Sequence, residues 1–451
     1  MKKKHASPQS GACRRALDGY LNAAARLGLE QPNLLAAGQY SLNRLTQNQQ
    51  LMTNLYRGNW IARRIVDTLA EDMCKNWYAL RGVSPQMAAR YARQERYAHV
   101  RERVLSGLKW ARLYGGAAGL MLVEGQEEDL SQPLRLEEIM PGQFRGILVV
   151  DRWNGVTPST ELVEDLSDAD FGLPRFYEFC MPDGEKVAAH HSRVVRFLSR
   201  ELPFLEQSAE SGWGASELEH VYEELNKRDA TSANIAQLIF QANLRVLKMS
   251  DLGEVLSSAS AQAQRDLYST LQAQNTLMSS MGLQVLDRED SFETHAYAFS
   301  GISEVYELFM LDVAGAAEIP ATRLFGRSPA GMDATGEGDL RNYYDAVREK
   351  QQSVLRPVLE KLVPVIAMSA WGSVPDALEF DFLPVRDLTD RERAELAKLH
   401  TETVIAAYSA GLVDRERAAR ELERQGRETG VWARDASMEG KGGEDGRADG
   451  V

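Results

Sequence analysis

Ile319-Pro-Ala-Thr-Arg-Leu-Phe-Gly-Arg-Ser-Pro-Ala-Gly-Met-Asp-Ala-Thr-Gly-Glu-Gly-Asp339 decides how the rest of the chain is read. It holds four glycines (Gly326, Gly331, Gly336, Gly338) and two prolines (Pro320, Pro329). Such a segment cannot continue a helix and has few apolar groups to bury. A loop of this length inside a large domain is usually functional or disordered. Upstream, Ile302, Val305, Tyr306, Phe309, Val313 and Ala316 mark one helix face, which must stop before Pro320. Downstream, Leu340, Tyr343, Tyr344, Val347, Val354, Leu355, Val358, Leu362 and Ile366 mark a helix of about thirty residues. Pro357 and Pro364 fall inside it and predict a kink or break at each.

Working outward, Ser216-Glu-Leu-Glu219 fits a capping box and opens a helical stripe running to about Asn243, roughly 40 Å long. Between the two long helices come a strand at Leu244–Met249, a polar helix near 252–280 and a strand at Leu283–Leu286. Earlier, Trp60, Ile61, Ile65, Leu69 and Met73 form another helix face. Residues 85–113 read as helix, and a short helix is expected near 12–28. Gly115–Val123, Ile147–Val150, Arg175–Phe179 and Arg193–Phe197 read as strands. A strand at Leu378–Leu383 precedes a second capping box, Thr389-Asp-Arg-Glu392, and two helices broken at Gly411. The glycine-rich end beyond Gln425 has the composition of disordered chain. The fold class is α+β and helix-rich.

Composition narrows the function. The 451 residues are 44% apolar and 26% charged, the ordinary balance of a soluble globular protein. A net charge of −13 argues against an outer surface that wraps nucleic acid, though not against DNA passing through. Cys13, Cys74 and Cys180 are scattered, without a C-x-x-C, which suits a reducing compartment and offers no cysteine metal cluster. No apolar run approaches the ~18 residues of a membrane span. The lysine-rich start lacks the apolar stretch of a secretory signal.

A search for catalytic chemistry returns little. Gly326-x-x-x-x-Gly331 has P-loop glycine spacing, but Met332 and Asp333 stand where Lys and Ser/Thr are required, and an Asp repels phosphate. There is no H-E-x-x-H and no G-x-S-x-G. His190-His191 lacks a Cys or acidic residue at local ligand spacing and reads as a strand-edge pair beside Ser192. No catalytic residue, metal ligand or cofactor is assigned. Arg323 and Arg327 are the most suggestive charges, read either as solvated loop arginines or as DNA-facing ones.

Several segments together resemble the portal proteins, or head-to-tail connectors, of tailed bacteriophages and prophages. They are Tyr56–Asp67 with Ala70-Glu-Asp72, His191–Phe197, Asn234–Asn243, and Ile319–Met332 continuing through Arg341–Asp345. The resemblance covers roughly residues 40–425 and implies a portal architecture. Residues 1–39 would be an N-terminal arm, 40–212 the wing, 213–243 and 301–319 two stem helices, and 244–300 the clip. The tunnel loop would be 320–338, with Arg323, Arg327, Ser328, Gly331 and Thr335 along the DNA channel. A long kinked helix and return strand would fill 339–388, a crown 389–425 and a disordered tail 426–451.

The resemblance further implies a closed ring, usually of twelve copies, at one capsid vertex of the virion, assembled in the host cytoplasm. Its partners would be the double-stranded DNA in its channel, the terminase large subunit, the major capsid and scaffold proteins and the head-completion or adaptor proteins, with no membrane. Twelve copies at −13 carry about −156, which suits a channel that must not grip phosphates. Two alternatives stand beside it. One is a capsid-associated adaptor or scaffold protein. The other is an enzyme, a degenerate nucleotide hydrolase or phosphoesterase, since some similar proteins carry fused phosphoesterase domains built on two His-x-Ser/Thr motifs. The missing P-loop lysine and the reading of His190-His-Ser192 as a single such motif weigh against it, and no enzymatic activity is expected.

Overall fold

The computed structural model describes residues 44–181, 183–240, 243–248, 291–296, 301–326, 337–386 and 390–429, with seven scattered positions between 262 and 273. Helices and antiparallel strands are mixed along the chain. The first helices are α1 (Gln49–Gly58) and α2 (Trp60–Cys74). Asn59 sets the start of α2, its side chain accepting from the Ile61 and Ala62 amides, two donors that no helical carbonyl can reach. Strand β1 (Tyr78–Arg81) follows, then α3 (Pro85–Tyr97), capped by Ser84 with proline in its first turn. The single helix expected over 85–113 is two. His99 sits at φ +51° and turns the chain into α4 (Val100–Tyr114).

β2 (Gly116–Val123), β3 (Phe144–Asp151) and β7 (Val194–Leu198) form one antiparallel sheet with β2 central. β4 (Val156–Pro158), β5 (Phe176–Cys180) and β6 (Lys186–His190) form a second. Side chains alternate across a strand, and β2 uses both faces. Ala117, Met121 and Val123 enter the main core with α2 and α4, while Ala118 and Leu120 enter a smaller core around Trp213, Tyr177 and Phe179. Glycines make this close approach possible. A Cβ on Gly116 would lie 2.3 Å from the Trp213 ring, and one on Gly107 of α4 2.5 Å from Phe197.

A short helix, α5 (Phe204–Ala209), leads to α6 (Glu217–Phe240). The capping box expected at 216–219 is half formed. Ser216 Oγ accepts from the Leu218 amide, but the Glu219 carboxylate accepts from the amide and hydroxyl of Thr46, whose Oγ1 in turn accepts the Ser216 amide. Thr46, arriving from far upstream, outcompetes the local partner. Strand β8 (Asn243–Lys248) pairs antiparallel with β9 (Ser291–Ala296), a strand the sequence reading did not mark. The strand expected at 283–286 and the helix near 12–28 lie outside the described residues. The polar helix near 252–280 is seen only at its scattered described positions, which are helical.

α7 (Ile302–Ala316) packs against α6, with Arg228 donating to the Tyr306 hydroxyl and its guanidinium 5.3 Å from that ring's centroid. Then come α8 (Ala321–Phe325), α9 (Glu337–Lys350), a π-helical turn (Gln351–Leu355) and α10 (Arg356–Trp371). The expected break near Pro357 is this π turn. Proline has no amide for the carbonyl four residues back, and the wider turn has the Arg356 amide donate to Gln351, five back. Pro364 lies inside α10, which continues through it, so no break occurs there. β10 (Glu379–Phe382) pairs with β1, and α11 (Asp390–Ser409) packs against α12 (Arg415–Thr429). Thr389 and residues from 430 onward lie outside the described residues. No described helix is long and apolar enough to cross a membrane.

Candidate functional site

The segment between α7 and α9 is held at both flanks by one helix, α2. α7 ends where Glu318 adopts φ +57°, and Pro320 precedes α8. Residues 321–325, expected to be loop, are therefore helical. Gly326, at φ +73°, ends α8 in a conformation that suits glycine. Arg323 points back into the protein rather than outward. Its Nε and Nη2 lie 3.0 and 2.7 Å from the two carboxylate oxygens of Asp72, a bidentate pair. Arg64 donates to the Arg323 carbonyl at 2.8 Å, Phe325 meets Trp60 edge to face, and Leu324 is fully buried.

The far flank returns to the same carboxylate. The Tyr343 hydroxyl of α9 donates to Asp72 Oδ2 at 2.8 Å, and Gln351 Nε2 donates to the Met73 carbonyl at 2.8 Å. Asp72 is 4% exposed, so its charge depends on these donors. The hydrogen bond to Asp72 raises the Arg323 pKa above its usual value against the opposing effect of burial. Burial, followed by the Asp72 charge, pushes the Tyr343 phenol far above its usual range. The knot is polar and largely buried, and its chemistry is that of a clamp on backbone.

This corrects the expectation for Arg323, whose guanidinium is committed to Asp72 with a third of its side chain exposed. Arg327, Ser328, Gly331 and Thr335 lie outside the described residues. Asp72 and Tyr343 were missed as a site, although an acid at position 72, on the buried face defined by Ile65 and Leu69, is itself a signal of a buried cation.

A second network joins α4 and the start of α6 to the residues just after β7 and α7. Glu217 lies between Arg112 (3.4 Å) and Arg200 (3.7 Å) and accepts from Ser199 at 2.8 Å, while Arg200 also reaches Glu318 at 3.1 Å. Burial works to raise the Glu217 pKa, but Arg112, Ser199 and Arg200 outweigh it and hold the group below its usual value.

A third cluster surrounds His190 and His191. The acids not found at local spacing arrive from about twenty residues upstream. His191 Nδ1 is 2.9 Å from Asp170 Oδ2, and its Nε2 is 3.6 Å from Asp168 Oδ2. Lys361 of α10 also bonds Asp170. Asp170 is held below the usual carboxylate range because the Lys361 and His191 bonds outweigh the effect of burial. His190 Nδ1 lies 3.0 Å from Ser192 Oγ, and burial, then His191 and Arg175, lower its pKa to about 4. The pair is thus part of a built polar cluster rather than a bare strand edge. His5-Ala-Ser7, a second triplet of His-x-Ser spacing, lies outside the described residues.

These features define a large, helix-rich α+β protein whose best-built polar knot holds α8 and α9 to α2. Residues 50–405 match the family model described as phage portal protein, and the chain belongs to that family. An uncharacterized protein of Haemophilus influenzae is 28% identical over 420 residues, covering 92% of this chain and 91% of that one. Proteins named anti-CBASS protein Acb1 from Sphingomonas paeninsulae and Caulobacter sp. (strain RHG1) are 32% and 30% identical, over 89% and 79% of this chain. The match spans 64% and 58% of those two proteins, less than two thirds of each. Among solved structures, a chain from the neck of an empty gene transfer agent particle is 16% identical with a TM-score of 0.49, over 86% of this chain and 96% of that one.

Proposed function

We propose that this portal-family protein forms a closed ring, of about twelve copies, at one vertex of a phage capsid, and that double-stranded DNA enters and leaves through its channel. The α6–α7 pair serves as the stem, and the segment containing β8 and β9 as the clip that docks the terminase large subunit. Residues 320–338 serve as the tunnel loop. The wing meets the capsid and scaffold proteins, and head-completion or adaptor proteins bind after packaging. The protein acts mechanically, in the host cytoplasm during assembly and then in the virion. The observation that carries this reading is the clamp of both loop flanks onto Asp72, which fits a loop that works between two rigid helices. The channel contact then falls to Arg327 and its neighbours rather than Arg323, and the acidic chain keeps the duplex from sticking.

Negative-stain electron microscopy and solution mass of the purified protein test the reading. Rings with a central hole and a mass of about twelve subunits support it. A monomer that stays monomeric in the presence of scaffold and capsid protein refutes it and favours the adaptor alternative.

The Acb1-named relatives motivate a second reading, a phosphoesterase. One His-x-Ser triplet falls among the described residues, and its His190 is engaged with its own Ser192. More than a third of each of those relatives lies beyond the match, outside anything this chain shares with them. No hydrolysis of cyclic oligonucleotides by this chain is the expected result, and turnover abolished by H190A would establish the enzyme instead.

A further inference from the structure

We propose that His191 and Asp168 bind a divalent transition-metal ion of the zinc type, which staples the excursion between β4 and β5 to the β6–β7 turn. Each of the two side chains has one polar atom already used and one left over. Asp168 Oδ1 accepts from the Asp170 amide at 2.8 Å, which aims Oδ2 at the histidine. His191 Nδ1 donates to Asp170 Oδ2, itself fixed by Lys361, which leaves Nε2 as the ring atom facing Asp168. A carboxylate on the far nitrogen is the arrangement that orients metal-binding histidines.

The two remaining atoms face each other at 3.6 Å. That is too long for a hydrogen bond. Two ligands at about 2.1 Å from a tetrahedral ion lie about 3.4 Å apart, so the gap is close to the width of the ion's seat. Asp168, Asp170 and His191 keep one ligand atom each within 4.8 Å of one another.

The seat opens onto a cleft of about 820 Å³, lined also by Leu162, Phe171 and Arg175, which leaves room for water to complete the coordination. Asp170 and His191 are buried, so the site is rigid before the ion arrives. Lys361 offsets one carboxylate charge. That disfavours Ca²⁺ and Mg²⁺, which require several oxygen ligands, and leaves an imidazole-led site suited to Zn²⁺ or Co²⁺. The staple would tie an excursion that carries the exposed Leu162, Leu166 and Phe171 to the underlying sheet.

The test is calorimetric titration of the full chain, stripped with chelator, with Zn²⁺. The expected result is one ion per subunit at micromolar affinity, undisturbed by millimolar Mg²⁺. D168N, at a half-exposed position, and H191Q should each weaken it at least about tenfold. Zinc should also slow proteolysis within 160–172 in the parent and not in D168N. No uptake at about 100 μM Zn²⁺, or uptake equal in the parent and both variants, overturns the proposal.

Discussion

Replacing Arg323 by alanine isolates the clamp on Asp72. The substitution removes two of the three donors on a carboxylate that is 4% exposed and leaves the Tyr343 hydroxyl alone. Removing one partner of a fully buried ion pair costs ~3–5 kcal/mol. Arg323 is one-third exposed, so water shares the load, and the discounted figure is about 2 kcal/mol. The loss is local, because the knot joins α8 and α9 to α2 while the sheets stand elsewhere. Amide exchange should therefore accelerate about thirtyfold in 321–326 and 340–347 and stay near parent levels in β2. D72A should behave similarly by orphaning the arginine. The D72A/R323A double variant leaves no buried charge unpaired and should fall short of the summed single effects by about 2 kcal/mol. Unchanged exchange in 321–326 for R323A, or strict additivity in the double variant, would refute the clamp.

Other expectations follow from the same geometry. G115A should lower stability by more than ~3 kcal/mol in denaturant titration, because residue 115 sits at φ +86° and a Cβ there would lie 2.1 Å from the Gly214 carbonyl. Glu217 is held below its usual pKa, so its contribution is present above the unfolded value of about 4.5 and is lost as pH falls through the lower folded value. E217Q should be less stable than the parent at neutral pH and converge with it once the pH falls below the lowered folded value, as read by denaturant midpoints. P364A restores a donor inside α10 and should raise stability by ~1 kcal/mol in the same titration.

The long helices were legible in sequence because their apolar residues repeat every three or four positions, as in Ile302–Ala316. Asn59 and Ser84 mark helix starts through side chains that reach amides only two or three residues away. What could not be read was long-range. Asp72 and Arg323 are 251 positions apart, and Asp170 and Lys361 are 191 apart, so no local pattern joins them. Thr46 taking over Glu219 shows the same competition, with a distant hydroxyl replacing a partner three residues away. His99 ending α3 is a backbone conformation that residue types alone do not announce.

The π turn at Gln351–Leu355 can be understood as a one-residue insertion in an otherwise regular helix. Along 343, 347, 351 and 355 every fourth residue is buried, a spacing that drifts about 40° per step around an ordinary helix. The wider turn absorbs that drift, so Tyr343 before it and Leu355 at its end address the same core. Deleting one residue there would keep the chain helical yet rotate everything downstream by about 100° relative to the loop side. The length of this turn is therefore a phase setting between the clamped flanks and α10, and any change in it must be matched by a change of buried face.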